Sequence, residues 1–185
     1  SDVLQLEIGQ IQSSLICGNK GKILHHLEIF RSQEQEWIVI CDPGEGRAVG
    51  TILDNFHVRE DLEMRLLNSG EMLRIDLLGP DAGKNLEKLG CDLQKTNWKF
   101  EDFSILTVKF NLGKLPRFIT LVHINVLENF VAKILNKENA DLTGLEAFDE
   151  IRILEGIPRF GVDYSTGNFP QEAGLGDHIS FKKGC

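Results

Sequence analysis

The sequence predicts an α+β fold built from two related halves, each an antiparallel sheet with helices packed on it, and three observations carry that prediction. Apolar and polar residues alternate from Ile23 to Phe30, from Leu62 to Leu66 and from Leu73 to Leu77, the period of strands with one covered face. Val49, Ile52, Leu53 and Phe56 fall at i, i+3, i+4 and i+7, and Leu127, Phe130, Val131, Ile134 and Leu135 line one helical face in the same way. Strands followed by helices occur twice along the chain, which gives halves of roughly residues 1–95 and 96–185.

Taken in order, the short apolar piece Leu15–Cys17 is closed by Gly18-Asn19-Lys20-Gly21, residues that favour a turn. In the strand that follows, Ile23, His25, Leu27 and Ile29 share one face and Leu24, His26, Glu28 and Phe30 the other, so the adjacent histidines point opposite ways. Trp37–Cys41 is apolar at every position and reads as a central strand covered on both sides. The turn Asp42–Gly46 leads into the Val49–Phe56 helix, whose apolar face is expected to pack on the sheet. Two alternating runs flanking Asn68-Ser69-Gly70 read as a hairpin. Gly79-Pro80 opens a short helix with Leu86 and Leu89 inward and Gly90 as its stop.

In the second half, Ile105–Phe110 and Phe118–Val126 read as strands joined by Gly113–Pro116 and followed by the Leu127–Leu135 helix. A last helix begins at Thr143, where Thr143 and Glu146 have capping-box spacing, and is expected to bury Leu145, Phe148, Ile151 and Leu154. Gly156-Ile157-Pro158 ends it, because the residue before proline is pushed out of the α region.

Composition narrows the function classes. The 185 residues carry a net charge of −8, which disfavours direct nucleic-acid binding and an anionic membrane surface, since both depend on clustered Lys and Arg. No apolar run approaches the roughly 20 residues of a membrane span, and no charged, apolar, small-residue series stands at residues 1–20, so a protein without an export signal is expected. Cys17, Cys41, Cys91 and Cys185 form no CxxC pair, so reduced thiols in the cytoplasm or the mitochondrial matrix are expected.

Four places carry candidate chemistry. Gly44–Gly50 is a loosened dinucleotide fingerprint, but the strands after it alternate as antiparallel ones do, which favours a plain turn and helix start. His25 and His26 are candidate bases that cannot chelate one ion together; His25 and His123 also suit core positions. Asp163, Glu172, Asp177 and His178 bring acid and base groups into the final loop, where solvated polarity is the plainer reading. Cys185 follows Lys182-Lys183-Gly184, whose ammonium groups favour a thiolate, and one cysteine alone cannot supply the roughly four ligands of an iron–sulfur cluster.

The runs Gly156–Asp163, Pro170-Gln171-Glu172-Ala173 with Leu175, and Ile179–Cys185 resemble the signature of the YgfZ-type folate-binding proteins, relatives of the glycine-cleavage aminomethyltransferase. In that family the cysteine is followed by Tyr-x-Gly-Gln-Glu, whereas this sequence ends at Cys185. Gly21–Phe30 is similar to the family's strand carrying an acidic pair, Leu78-Gly79-Pro80 to its helix start, and Ala147 with Arg152 to the helix before its G-x-P turn.

The resemblance implies a folate-binding aminomethyltransferase-like domain over residues 1–185, without the family's C-terminal β-barrel. It implies tetrahydrofolate as cofactor, with Arg152, Asp163, Pro170, Gln171, Glu172, Lys183 and Gly184 as binding residues, Cys185 as a functional thiol, and no directly bound metal. It further implies a role in assembling or maintaining iron–sulfur clusters, including those of tRNA-modifying enzymes, with iron–sulfur enzymes or assembly proteins as partners. His25-His26 stands where aminomethyltransferases have the acidic pair, and imidazole cannot supply the same fixed negative charge, so aminomethyl transfer is disfavoured. The alternatives are a folate-dependent one-carbon transferase using His25 or His26, and a non-catalytic binding or scaffold module.

Overall fold

The computed structural model describes residues 2–59, 61–68, 70–136 and 140–180. It is α+β, with two antiparallel sheets distributed over two compact units: Ser1–Leu67 together with Pro158–Cys185, and Asn68–Ile157. Residues 95 and 96 both lie inside the second unit.

In the first unit β1 (Ile11–Cys17), β2 (Ile23–Gln33) and β3 (Glu36–Cys41) form a sheet in that order, and α1 (Gly46–Asn55) follows. The expected face assignment of β2 fails at its start. Ile16 pairs with His25 but Cys17 pairs with Ile23, so Leu24 is an extra residue and the alternation changes phase there. Ile23 therefore packs in a cluster with Tyr164 and Leu175, and His26 reaches the same Tyr164.

The expected central strand Trp37–Cys41 is instead the edge strand β3, with Trp37 and Val39 exposed. An unbroken apolar run does not fix the number of neighbours; here the guanidinium of Arg31, opposite Trp37 on β2, lies 5.3 Å from the Trp37 ring centre and covers part of that ring. The α1 face is also narrower than expected. Val49 is buried, whereas the helix ends at Asn55 and leaves Phe56 78 % exposed just beyond it.

The second unit orders its strands β4 (Met72–Leu78), β7 (Arg117–His123), β6 (Phe103–Lys109), β5 (Asn97–Phe100). The predicted hairpin around residues 68–70 is thus corrected. Residues 61–68 belong to no strand, Leu62, Met64 and Leu66 are exposed, and β4 pairs with β7, Met72 opposite His123 through Leu78 opposite Arg117. Alternation identified β4 but could not name its partner. The four-residue strand β5, paired with β6, was too short to show a period.

α2 (Ala82–Glu87) and α3 (Ile124–Leu135) pack Leu86, Val126, Phe130 and Ile134 into one core with Trp98, Phe100, Ile105, Phe118 and Val122. Inside the sheet, Trp98 Nε1 donates to Thr107 Oγ1 at 3.0 Å and Thr107 meets Thr120 at 3.2 Å, so these buried polar groups are satisfied.

α4 (Leu145–Leu154) starts from Gly144 without a side-chain cap, so the Thr143–Glu146 capping box does not form. Leu145 and Leu154 are exposed rather than buried, and the buried residue on this helix is Arg152. Its end is as expected. Gly156 takes φ +69, Ile157 N donates to Arg152 O at 2.8 Å and Gly156 N to Ile153 O at 3.0 Å, the paired closure of a Schellman motif.

Candidate functional site

The first unit gathers its acid–base side chains at His26. Leu15 lies opposite His26 across the β1–β2 pairing, which puts Ser13, two residues along β1, on the same face. Tyr164 arrives from the segment that follows α4. Gly161, at φ +78, donates its amide to Tyr164 O at 2.7 Å and turns the chain, and Ile23 N donates to Asn168 O at 3.0 Å, tying this loop to the start of β2. The Tyr164 ring is 4 % exposed.

Both nitrogens of His26 are engaged. Nε2 lies 2.5 Å from Ser13 Oγ and Nδ1 lies 2.5 Å from the Tyr164 hydroxyl. The His178 ring stands edge-on at 6.0 Å. Burial, reinforced by His178, holds the His26 pKa below its ordinary value against the opposing pull of Glu28 and Asp42. Burial likewise lowers His178 and raises the Tyr164 phenol. All three groups are therefore neutral at neutral pH, a hydrogen-bonding arrangement rather than a charged one.

The final loop is held by its own carboxylates. Asp163 Oδ2 accepts from Arg159 N at 2.8 Å, and Glu172 Oε2 accepts from Phe169 N at 2.8 Å and from Asn168 Nδ2 at 3.5 Å. Pro170 is buried and its carbonyl accepts from Leu175 N at 2.8 Å, while Gln171 is exposed. Leu175, 2 % exposed, anchors the loop in the Ile23–Tyr164 cluster.

His25 faces away from this cluster. Its Nδ1 approaches Glu45 Oε2, at the start of α1, to 2.6 Å as an ion-pair contact outside hydrogen-bond geometry. Among the described residues no parallel strand follows α1, so the Gly44–Gly50 run is the plain turn and helix start. His123 accepts from Asn125 N at 3.2 Å and caps α3. Arg152 lies in the second unit, where Nε donates to Asp149 Oδ1 at 2.6 Å and a terminal nitrogen donates to Ile157 O at 3.2 Å. Lys182, Lys183, Gly184 and Cys185 lie outside the described residues. Among the described residues no three His, Cys, Asp or Glu side chains are grouped as metal ligands, and no helix is long and apolar enough to cross a membrane.

Sequence reasoning missed Ser13 and Tyr164. The one available signal was that Tyr164 is the only tyrosine, but its partner lies 138 residues away and nothing local announces it.

This arrangement of sheets and helices has the fold of an aminomethyltransferase domain. The chain superposes on the glycine cleavage system aminomethyltransferase T of Bartonella henselae with a TM-score of 0.78 at 21 % identity, covering 98 % of this chain and 50 % of that one. In sequence it is similar to the aminomethyltransferase of Desulfitobacterium hafniense, 25 % identical over an alignment of 197 positions that covers 99 % of this chain and 53 % of the relative. The aminomethyltransferases of Symbiobacterium thermophilum, at 22 % over 202 residues, and Aquifex aeolicus, at 25 % over 181, align over 100 % and 97 % of this chain and 53 % and 49 % of their own. The chain spans about half the length of these curated relatives. No family model matches it.

Proposed function

We propose that this chain is a tetrahydrofolate-binding domain that serves the assembly or maintenance of iron–sulfur clusters, including those of tRNA-modifying enzymes, rather than aminomethyl transfer. The observation that carries this reading is the state of His26. At the position where the resemblance places a catalytic acid, the side chain is an imidazole kept neutral by burial, with Ser13 on one nitrogen and Tyr164 on the other. A group so engaged offers neither fixed negative charge nor a free lone pair for base catalysis. That counts equally against a one-carbon transferase that uses His26 as its base.

The residue types suit a folate. A pterin presents adjacent N–H donors that carboxylate oxygens accept, and Glu172 and Asp163 each have one oxygen fixed by a loop amide, which orients the carboxylate. Pro170 and Gln171 share that loop, and Arg152 is assigned with them from the resemblance. Lys183 and Gly184 complete the binding set, and Cys185 is the thiol that meets cluster chemistry on client enzymes or assembly proteins. The compartment is the cytoplasm or the mitochondrial matrix.

The test is a Cys185→Ala replacement in cells, with the activities of iron–sulfur enzymes compared against enzymes that hold no cluster. A selective loss supports the proposal. Unchanged cluster-dependent activities remove it, and turnover of a methylamine donor with tetrahydrofolate that is lost in His26→Ala would install the transferase instead.

A further inference from the structure

We infer that Ser13, His26 and Tyr164 form a one-way hydrogen-bond relay whose outer end, the Ser13 hydroxyl, is a donor site for an acceptor atom of a bound ligand. Taking that ligand to be tetrahydrofolate, through a carbonyl or carboxylate oxygen, rests on the function proposed above.

A neutral imidazole has one donor and one acceptor nitrogen, so two directions fit a chain of three. In the first, Tyr164 donates to Nδ1, Nε2–H donates to Ser13 Oγ, and the serine proton is left for an outside acceptor. In the second, Ser13 donates to Nε2, Nδ1–H donates to the phenol oxygen, and the phenol proton needs a further acceptor.

The surroundings decide between them. Tyr164 is 4 % exposed and packs with Ile23, Leu175, Leu15, Phe160 and Ala173, side chains that accept nothing, and the Asp42 and Asp163 carboxylates, whose charges act on the phenol, make no hydrogen bond to it. Its hydroxyl has no second partner among the described residues. The second direction would strand a buried donor, at a cost of about 1–3 kcal/mol. Ser13 is only half-buried, so in the first direction its free proton meets solvent or a ligand. The chain therefore runs from the buried phenol to the outer hydroxyl, and each bond polarises the next.

The groups facing His26 are compatible with the neutral ring this needs. Tyr164 stays a phenol, His178 disfavours an imidazolium, and the carboxylates Glu28 and Asp42, which favour one, are outweighed by burial. Two functional consequences follow. His26 acts as a positioning residue whose one lone pair is occupied, and it leaves the Ser13 proton free to be donated to an acceptor atom of the ligand.

Long-range nitrogen correlation spectra of the histidine rings in 15N-labelled protein read the relay directly, with His26 assigned by loss of its signals in His26→Gln. The expected pattern has the proton on Nε2 and a bare Nδ1, and Tyr164→Phe, which keeps the packed ring, mixes the tautomers and moves the His26 titration upward. A proton on Nδ1 overturns the relay.

The ligand half is read by titrating tetrahydrofolate. Ser13→Ala is expected to weaken binding about tenfold while Ser13→Thr retains it, and an unchanged affinity in Ser13→Ala overturns the donor assignment. If the unmodified protein shows no saturable binding, the folate reading and the ligand half fall together, while the ring-nitrogen pattern still decides the relay.

Discussion

Tyr164 and His26, 138 residues apart, meet at 2.5 Å through the phenol oxygen and Nδ1 and join the loop after α4 to β2. The loop that carries Asp163 and Glu172 is thus tied to the strand that carries His25 and His26.

Stability should fall on mild acidification. His26 and His178 both titrate below their ordinary value in the folded protein, chiefly through burial. Between those depressed values and the unfolded value of about 6.5, the unfolded chain binds more protons, so unfolding free energy rises with pH there. The stability is fully present above about 6.5 and is lost as pH falls through the folded values. Urea denaturation at stepped pH checks this, with a shallower decline expected in His178→Asn.

Leu175→Ala removes the apolar anchor of the loop. Leu175 is 2 % exposed in the cluster with Ile23 and Tyr164, so the replacement is expected to cost about 2–5 kcal/mol. The denaturation midpoint measures the cost, and proteolysis should then cut between residues 165 and 175 first.

Arg152 distinguishes support from ligand contact. Its guanidinium holds Asp149 and the Ile157 carbonyl at the end of α4. Arg152→Ala should lower stability by about 3 kcal/mol even in the absence of folate. An unchanged melting curve would show that these bonds contribute nothing to stability.

Thiol reactivity should rank the cysteines. Burial raises the pKa of Cys17 and Cys41 and pushes Cys91 up to about 11, with Asp92 and Glu87 adding to the effect at Cys91. Cys185 follows two lysines, which favour its thiolate. Limited alkylation near neutral pH followed by peptide mapping should therefore label Cys185 first, and equal labelling of all four would contradict this.

Local pattern made much of the fold readable: the alternation of β4 and the glycine stop of α4 matched, and the α3 period held at Phe130 and Ile134, but the strand expected to run to Val126 ends at His123, and Ile124–Val126 are the first turn of α3. What it could not supply was partnership. An apolar run at Trp37–Cys41 looks the same whether two strands flank it or one, and the alternation at Leu62–Leu66 had no strand to pair with. The extra residue at Leu24 changed which side chains share a face with His26, a one-residue event that periodicity averages away. Ser13 and Tyr164 escaped notice for a related reason, since their significance lies in distances across the fold.

The central claim is that this chain binds tetrahydrofolate. Calorimetric titration of the protein with reduced folate under anaerobic conditions tests it most directly. Saturable binding below the millimolar range, weakened by Glu172→Gln, is the predicted result; a featureless titration with a fully folded protein would contradict the account.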